Sequence, residues 1–456
     1  MAQLKTIGAF HYQVGRTDGV SLELEKWVQV LEEMGHTVHL CAGDLGRAKG
    51  TLIEKMYHHL PEIERLYRNT FVKLEDYSPE EYATALGEWA ADLKNEFRDF
   101  ILRKGIDFIV AENVWSVAAN PAVAMALEEI RVELDLPAVA HNHDFYWERK
   151  GRREWSHPRA KEILAHYLPP RDPKIKQVVI NSLAQTELEK RTGLHAVVVP
   201  NVFDFHTPAW EVDEYNNDLR ERIGLRERDL VLLQATRIVP RKGIELAIDL
   251  TRALDNPRRR SVLQDRGLFD GRSFSAADRI VLVLAGYARD DSTGTYKDKL
   301  ARKAKEEGIE IRFIGDMIGA TRDIQEGKKL YSLWDTYTAA DMVTYPSLWE
   351  GWGNQFLEAI KARLPVVLFE YPVYKSDIKD KGFQVISLGD QLKGVDKNGL
   401  VQMDQTLLDR AADQAVEALM DPFRRNEMVN ANWEIAQEHY SHPALRKILE
   451  PLFEGS

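Results

Sequence analysis

The chain has 456 residues, a formal net charge of −11, 44% hydrophobic residues and 29% charged ones. That length exceeds one common domain and predicts two, and the acidic balance excludes nucleic acid as the main partner, because neutralising phosphates needs a basic face. A single cysteine, Cys41, excludes an internal disulfide and any multi-cysteine metal site, and suits the cytoplasm.

Every apolar run is too short to span a bilayer, and residues 1–5 lead straight into a strand-like run at 7–10 instead of a signal peptide. The first half then alternates short apolar runs with longer amphipathic ones. Strands are predicted at 6–11, 37–42, 107–111, 138–141, 178–181 and 196–200. A helix over 21–34 sets Leu22, Trp27, Val28, Val30 and Leu31 at helical spacing, and longer helices are predicted over 51–68 and 79–103. Cys41, inside an apolar strand, reads as a buried structural thiol. Alternation of this kind gives βαβ units, a parallel sheet with helices on both faces.

The pattern restarts after the acidic stretch 211–217, with strands predicted at 230–234, 280–285, 310–314, 341–344 and 365–368. Val199-Pro-Asn-Val202 punctuates the chain there and predicts a hinge. Two doubly wound α/β domains meeting near residue 205 follow, with ligands beyond the carboxyl ends of the strands, in the cleft between them. The run Arg258-Arg-Arg260 reads as a solvated loop face. Past Leu419 only helices are expected, 422–439 and 443–453, which either close the second domain or cross back to the first.

Four stretches carry groups suited to chemistry. Gly15-Arg-Thr-Asp-Gly-Val20 leads from the first strand into the first helix, where parallel domains bind phosphate; it has neither the dinucleotide glycine spacing nor a P-loop lysine, and a structural turn is the alternative. Ala235-Thr-Arg237-Ile-Val-Pro-Arg241-Lys242-Gly243 follows the first strand of the second half, so Arg237 and Lys242 would meet a diphosphate. His141-Asn-His143-Asp144 ends a strand; a metal site there lacks an obvious third ligand beyond Asp144, and a sugar-recognition cluster with Tyr146 and Trp147 fits better. The fourth is Tyr345-Pro-Ser-Leu-Trp-Glu350-Gly-Trp352-Gly353-Asn354-Gln355-Phe-Leu-Glu358, a glycine loop into a helix that Asn354 would cap. A glycosidase-like acid and nucleophile pair at Glu350 and Glu358 is disfavoured: eight helical steps of about 1.5 Å separate them by about 12 Å. They suit a grip on different hydroxyls of one extended ligand.

Taken together, Glu350-x7-Glu358, Arg237 with Lys242, the first glycine loop and the strand-end histidine resemble the retaining GT-B enzymes of glycosyltransferase family 4, a group that includes glycogen and sucrose synthases. The resemblance runs along almost the whole chain. It implies two Rossmann-like doubly wound parallel-sheet domains facing across a cleft: an acceptor-binding domain over 1–204, a nucleotide-sugar-binding domain over 205–430, and terminal helices over 431–456 crossing back to the first. It also implies roles. His143, Arg237, Lys242 and Glu350 would be catalytic: His143 by the anomeric carbon, the two cations on the leaving diphosphate, Glu350 on the donor sugar. Glu358 would hold the ribose, backbone N–H groups from Trp352 through Gly353 and Asn354 to Gln355 would hold sugar or phosphate, and Gly19 and Asp144 would complete the site. Departures are Asp18-Gly19 in place of paired glycines, Pro200-Asn-Val-Phe-Asp204 at the hinge, and Trp352 where a smaller apolar residue is commoner.

The implied reaction moves a hexose, glucose or mannose, from a nucleoside-diphosphate sugar to a hydroxyl of a small acceptor, a sugar or glycerate-type compound. No metal and no cofactor beyond the nucleotide sugar are expected, and the departing phosphate would act as base on the retained face. A nucleotide-sugar epimerase, a glucan phosphorylase and a non-catalytic nucleotide-sugar-binding protein are the alternatives. Neither nucleic acid nor an integral membrane segment is expected as a partner, and self-association stays open. The stretch 51–103, with Tyr57, Tyr67, Tyr77, Tyr82 and Trp89, either shapes the acceptor pocket or forms core.

Overall fold

A computed structural model describes residues 4–148, 155–286 and 295–454. The chain forms two compact units, Met1–Val202 with His442–Ser456, and Phe203–Ser441. No described helix is long and apolar enough to cross a membrane.

The first unit is built on a seven-stranded parallel sheet: β1 (Thr6–His11), β2 (Thr37–Ala42), β3 (Thr51–Leu52), β4 (Phe108–Glu112), β5 (Ala138–Asn142), β6 (Ile175–Val179) and β7 (Ala196–Val198), in the order β3-β2-β1-β4-β5-β6-β7. β4 and β5 are buried along their whole length, as strands covered on both faces must be. One face is covered by helices including Pro79–Lys104, which starts on a capping box between Ser78 and Glu81 with Pro79 in the first turn. On the other, Trp27, Val30 and Leu31 of helix Gly19–Glu33 pack with Leu445, Leu449, Leu452 and Phe453 of helix His442–Phe453. Those last four side chains contribute roughly 1.5–3 kcal/mol each by leaving water.

The second unit repeats the plan in a six-stranded parallel sheet of β8 (Leu230–Gln234), β9 (Ile280–Leu284), β10 (Glu310–Phe313), and, after three short strands, β14 (Met342–Tyr345), β15 (Val366–Leu368) and β16 (Ile386–Ser387), ordered β10-β9-β8-β14-β15-β16. Those short strands, β11 (Ile318–Gly319), β12 (Asp323–Gln325) and β13 (Lys328–Ser332), form a separate small sheet, and β17 (Gly394–Val395) pairs with β18 (Val401–Gln402).

Three expectations are corrected. The helix expected over 51–68 is instead the edge strand β3, a short turn Glu54–Met56 and helix Pro61–Phe71, because Pro61 has no N–H to continue a helix through it and is favoured in a first turn. The boundary expected after 204 falls after Val202. The return expected from 431 begins only at His442: helix Pro422–His439 stays with the second unit, where Arg425 donates to the Asp341 carbonyl at 2.8 Å and Asn432 bonds both backbone groups of Gln384.

Candidate active site

Both sheets reverse their order once, between β1 and β4 and between β8 and β14, and ligands of such sheets bind at that reversal, beyond the carboxyl ends of the strands. The sequence-derived site residues lie in loops or helix starts at carboxyl ends, except Glu358, which is one turn into its helix.

In the second unit β8 runs out through Arg237 to the tight turn Pro240–Lys242, and β14 runs out to the loop holding Glu350. The Leu348 N–H donates to the Arg241 carbonyl at 2.8 Å and ties the two together. Gly243 (φ +58°) makes this approach possible, since a Cβ there would lie 2.3 Å from the Pro346 carbonyl oxygen. The result is a clamp: Lys242 Nζ donates to Glu350 Oε1, and Arg241 Nη1 donates to Oε2 at 2.7 Å. Glu350 and Lys242 are both buried. Burial alone would raise the Glu350 carboxyl, but Lys242 and Arg241 outweigh it and hold it at about 2. Burial pushes the Lys242 ammonium down against the pull of Glu350, and Arg241 and exposed Arg237 add to that push. Arg241 was not among the sequence-derived candidates; its place in the short turn beside Lys242 is what brings it in.

The next helix is Asn354–Lys361, and Asn354 is its first residue, not its cap. Gly353 takes the cap position at φ +128°, where a Cβ would collide with the Tyr371 hydroxyl at 2.1 Å, and no side chain caps the helix. Tyr371 in turn donates to the Trp352 carbonyl at 2.8 Å, and the buried Trp352 ring packs against Tyr440. The Gln355 amide is buried with neither polar atom bonded among the described residues. One turn on, buried Glu358 accepts from the Tyr337 hydroxyl at 2.6 Å. Beside these loops lies a cavity of about 940 Å³ lined by Ile238, Lys297, Phe313, Gly315, Asp316 and residues of β12 and β13.

In the first unit the register of β4 on β5 sets Glu112 opposite His141. His141 Nδ1 donates to Glu112 Oε2 at 2.8 Å, and His143 Nε2 makes an ion-pair contact with Oε1 at 2.7 Å; all three side chains are buried. Trp27 stacks on His141 with ring centroids 4.1 Å apart. Burial would raise the carboxyl of Glu112, but the two imidazoles outweigh it and hold it below the usual range. Burial lowers His141 and prevails there, whereas for His143 Glu112 overcomes burial and the imidazole is raised. Asn113, in the left-handed region at φ 54°, accepts the His143 N–H at 2.7 Å and fixes its backbone. Half-buried Asp144 follows, its N–H 3.4 Å from the same Asn113 oxygen.

The third group beside the two histidines is thus Glu112 and not Asp144, and the three donor atoms lie within 4.8 Å of one another. That spacing could hold a cation: His141 is hydrogen-bonded to the carboxylate at 2.8 Å, whereas the 2.7 Å approach of His143 Nε2 to Oε1 is an ion-pair contact without hydrogen-bond geometry. Gly19 is the first residue of its helix, whose cap is Asp18. The Asp18 carboxylate accepts from Ser21 N at 3.0 Å, Ser21 Oγ at 2.7 Å and Gln13 Nε2 at 3.0 Å, so the protein's own anion already sits at this helix end. That weakens Gly19 as a phosphate contact.

Residues 216–387 match the family described as glycosyl transferases group 1. The mannosylglucosylglycerate synthase of Petrotoga mobilis is 38% identical over 416 residues, covering 91% of this chain and 94% of the relative. That of Thermotoga maritima is 37% identical over 444 residues, covering 97% and 98%. Sucrose-phosphate synthase from Thermosynechococcus elongatus shares the fold, with a TM-score of 0.60 at 12% identity and 98% of each chain covered. With two Rossmann-like sheets, a cation-clamped glutamate at one reversal and relatives of this similarity over nearly its full length, the chain belongs to the group 1 glycosyltransferases of the GT-B fold.

Proposed function

We propose that this enzyme transfers a hexose, mannose or glucose, from a nucleoside-diphosphate sugar to a hydroxyl of a small glycerate-bearing acceptor, with retention and without a metal or further cofactor. The second unit holds the donor and the first the acceptor, in the cytoplasm. The observation that carries the reading is the Glu350 clamp beside an uncapped helix start. Leaving-group departure puts negative charge on a diphosphate, and preorganised cations stabilise such charge without reorganising. Lys242, Arg241 and Arg237 supply them. Glu350 locks the first two in place. Glu358, steadied by Tyr337, takes the ribose, and His143 meets the sugar at the reacting end. The names of the relatives support mannose as the moved sugar and a glucosylated glycerate as the acceptor.

The test is direct. The protein is mixed with glucosylglycerate and with mannose or glucose donors carrying UDP, GDP or ADP, and the product is read by mass spectrometry and its anomeric configuration by NMR. A trisaccharide-like acid with the donor's own configuration is expected; no product from any donor sinks the reading, and an inverted linkage sinks the front-face route.

A further inference from the structure

The first unit holds a cavity of about 480 Å³, a size suited to a small ligand, that the reaction above leaves unassigned. Its wall includes His58, His59, Arg65, Tyr67, Arg68 and Ala119, together with Glu64. Its wall is drawn from the segments that follow β3 and β4 in the chain. Helix Pro61–Phe71 places Arg65 and Arg68 on one face. Asp76 engages one edge of each: Arg68 Nη2 donates to its Oδ2 at 3.1 Å, and Arg65 Nη2 donates to its carbonyl at 3.0 Å. The Tyr77 ring lies 4.3 Å from the Arg65 guanidinium and orients it. A guanidinium has five N–H donors, so both arginines can serve a second anion. The carboxylate in the wall, Glu64, is met by His59 Nδ1 at 2.9 Å.

A row of rings links this cavity to the histidine cluster. Tyr12 lies 5.7 Å from His58 and 5.4 Å from His11, and His11 Nδ1 donates to the Glu112 carbonyl at 2.7 Å. We infer that the cavity binds the carboxylate of an anionic glycoside acceptor, with Arg65 and Arg68 as its partners and the sugar end directed toward His143. This rests on the proposed transfer to a glycerate-bearing acceptor and adds which residues recognise the acid. Paired guanidiniums match a carboxylate's two oxygens, whereas a neutral polyol offers them only weak acceptors.

Glucosylglycerate and glucosylglycerol differ in one carboxylate and serve as the probes, titrated calorimetrically into the full chain with nucleoside diphosphate present and then used as acceptors. The wild type should bind the acid at least about 10-fold more tightly. Arg65→Gln and Arg68→Gln should each raise the Kd for the acid roughly 10- to 100-fold and leave that for glucosylglycerol unchanged. Asp76→Asn removes the competing carboxylate and should tighten the acid. Equal losses for both probes, or an acid preference that survives both arginine changes, overturns the assignment. If the arginine variants do not fold, Asp76→Asn decides, and no tightening overturns it. A wild type that uses both probes equally keeps the transferase and sinks the carboxylate site; one that binds and glycosylates neither sinks both.

Discussion

Glu112 and Glu350 both lie at the carboxyl end of the strand just across the reversal: Glu112 ends β4, and Glu350 sits in the loop beyond β14. Both are buried and both are held as carboxylates by neighbours that overcome burial. What differs is the neighbours. Glu350 sits between a lysine and an arginine, two cations held on one carboxylate. Glu112 sits between two imidazoles, one pushed toward the charged form and one toward the neutral form. One site is a fixed field suited to a diphosphate whose charge is always large. The other is built on imidazoles, the side chains whose charge changes most readily near neutral pH.

The largest effect expected from breaking this contrast is at the fixed site. Lys242→Ala should lower turnover roughly 10³-fold, as loss of a preorganised charge partner does. Thermal unfolding separates this from collapse, because Arg241 still pairs Glu350; unchanged turnover would remove the diphosphate role. Next comes Glu112→Gln, expected to cost roughly 10²-fold in turnover and, as a broken buried pair, roughly 3–5 kcal/mol of stability.

The pH dependence of that stability loss has a definite sign. His143 is raised above 6.5 in the folded chain, so its contribution is complete below 6.5 and disappears as pH rises through the folded value. Glu112 is lowered from 4.5, so its share is present above 4.5 and is lost only at far lower pH. The stability gap between wild type and Glu112→Gln should therefore be widest between 4.5 and 6.5 and narrow on the alkaline side. A gap that widens there, in urea melts across pH, contradicts the pairing.

A smaller loss is expected one turn into the donor helix. Glu358→Gln, or Tyr337→Phe, should weaken binding of free nucleoside diphosphate about 10-fold by calorimetry, the value of one charge-assisted hydrogen bond. Unaltered affinity would move the ribose elsewhere. The smallest effect is none at all: turnover in excess chelator should equal that without it, and a loss restored by a divalent ion would turn Glu112, His141 and His143 into ligands.

The second site was the more legible in the sequence, because Glu350, Gly353, Gln355 and Glu358 fall within one short stretch, 350–358, whose glycines announce a loop entering a helix. Even there Arg241 was passed over for Arg237, since only the turn at Pro240–Lys242 decides which arginine faces the glutamate. Glu112 left no local signal. It ends a strand expected to stop at 111, and its partners lie 29 residues away for His141, brought together by strand register alone. Tyr67 lines a cavity while Tyr82 is core, although both sit in the same aromatic-rich stretch. Two-residue strands such as β3 and β11 are too short to show an alternating pattern.

The return of helix His442–Phe453 to the first unit bears on how a ribosome delivers this protein. The first unit's sheet emerges early, but the slot for Leu445, Leu449, Leu452 and Phe453 stays apolar and open until residues 203–441 have been made. The second unit, contiguous in the chain, can finish folding while the first is still incomplete. Nascent chains stalled before His442 should accordingly be held by chaperones at that slot, and a supplied His442–Phe453 peptide should release them.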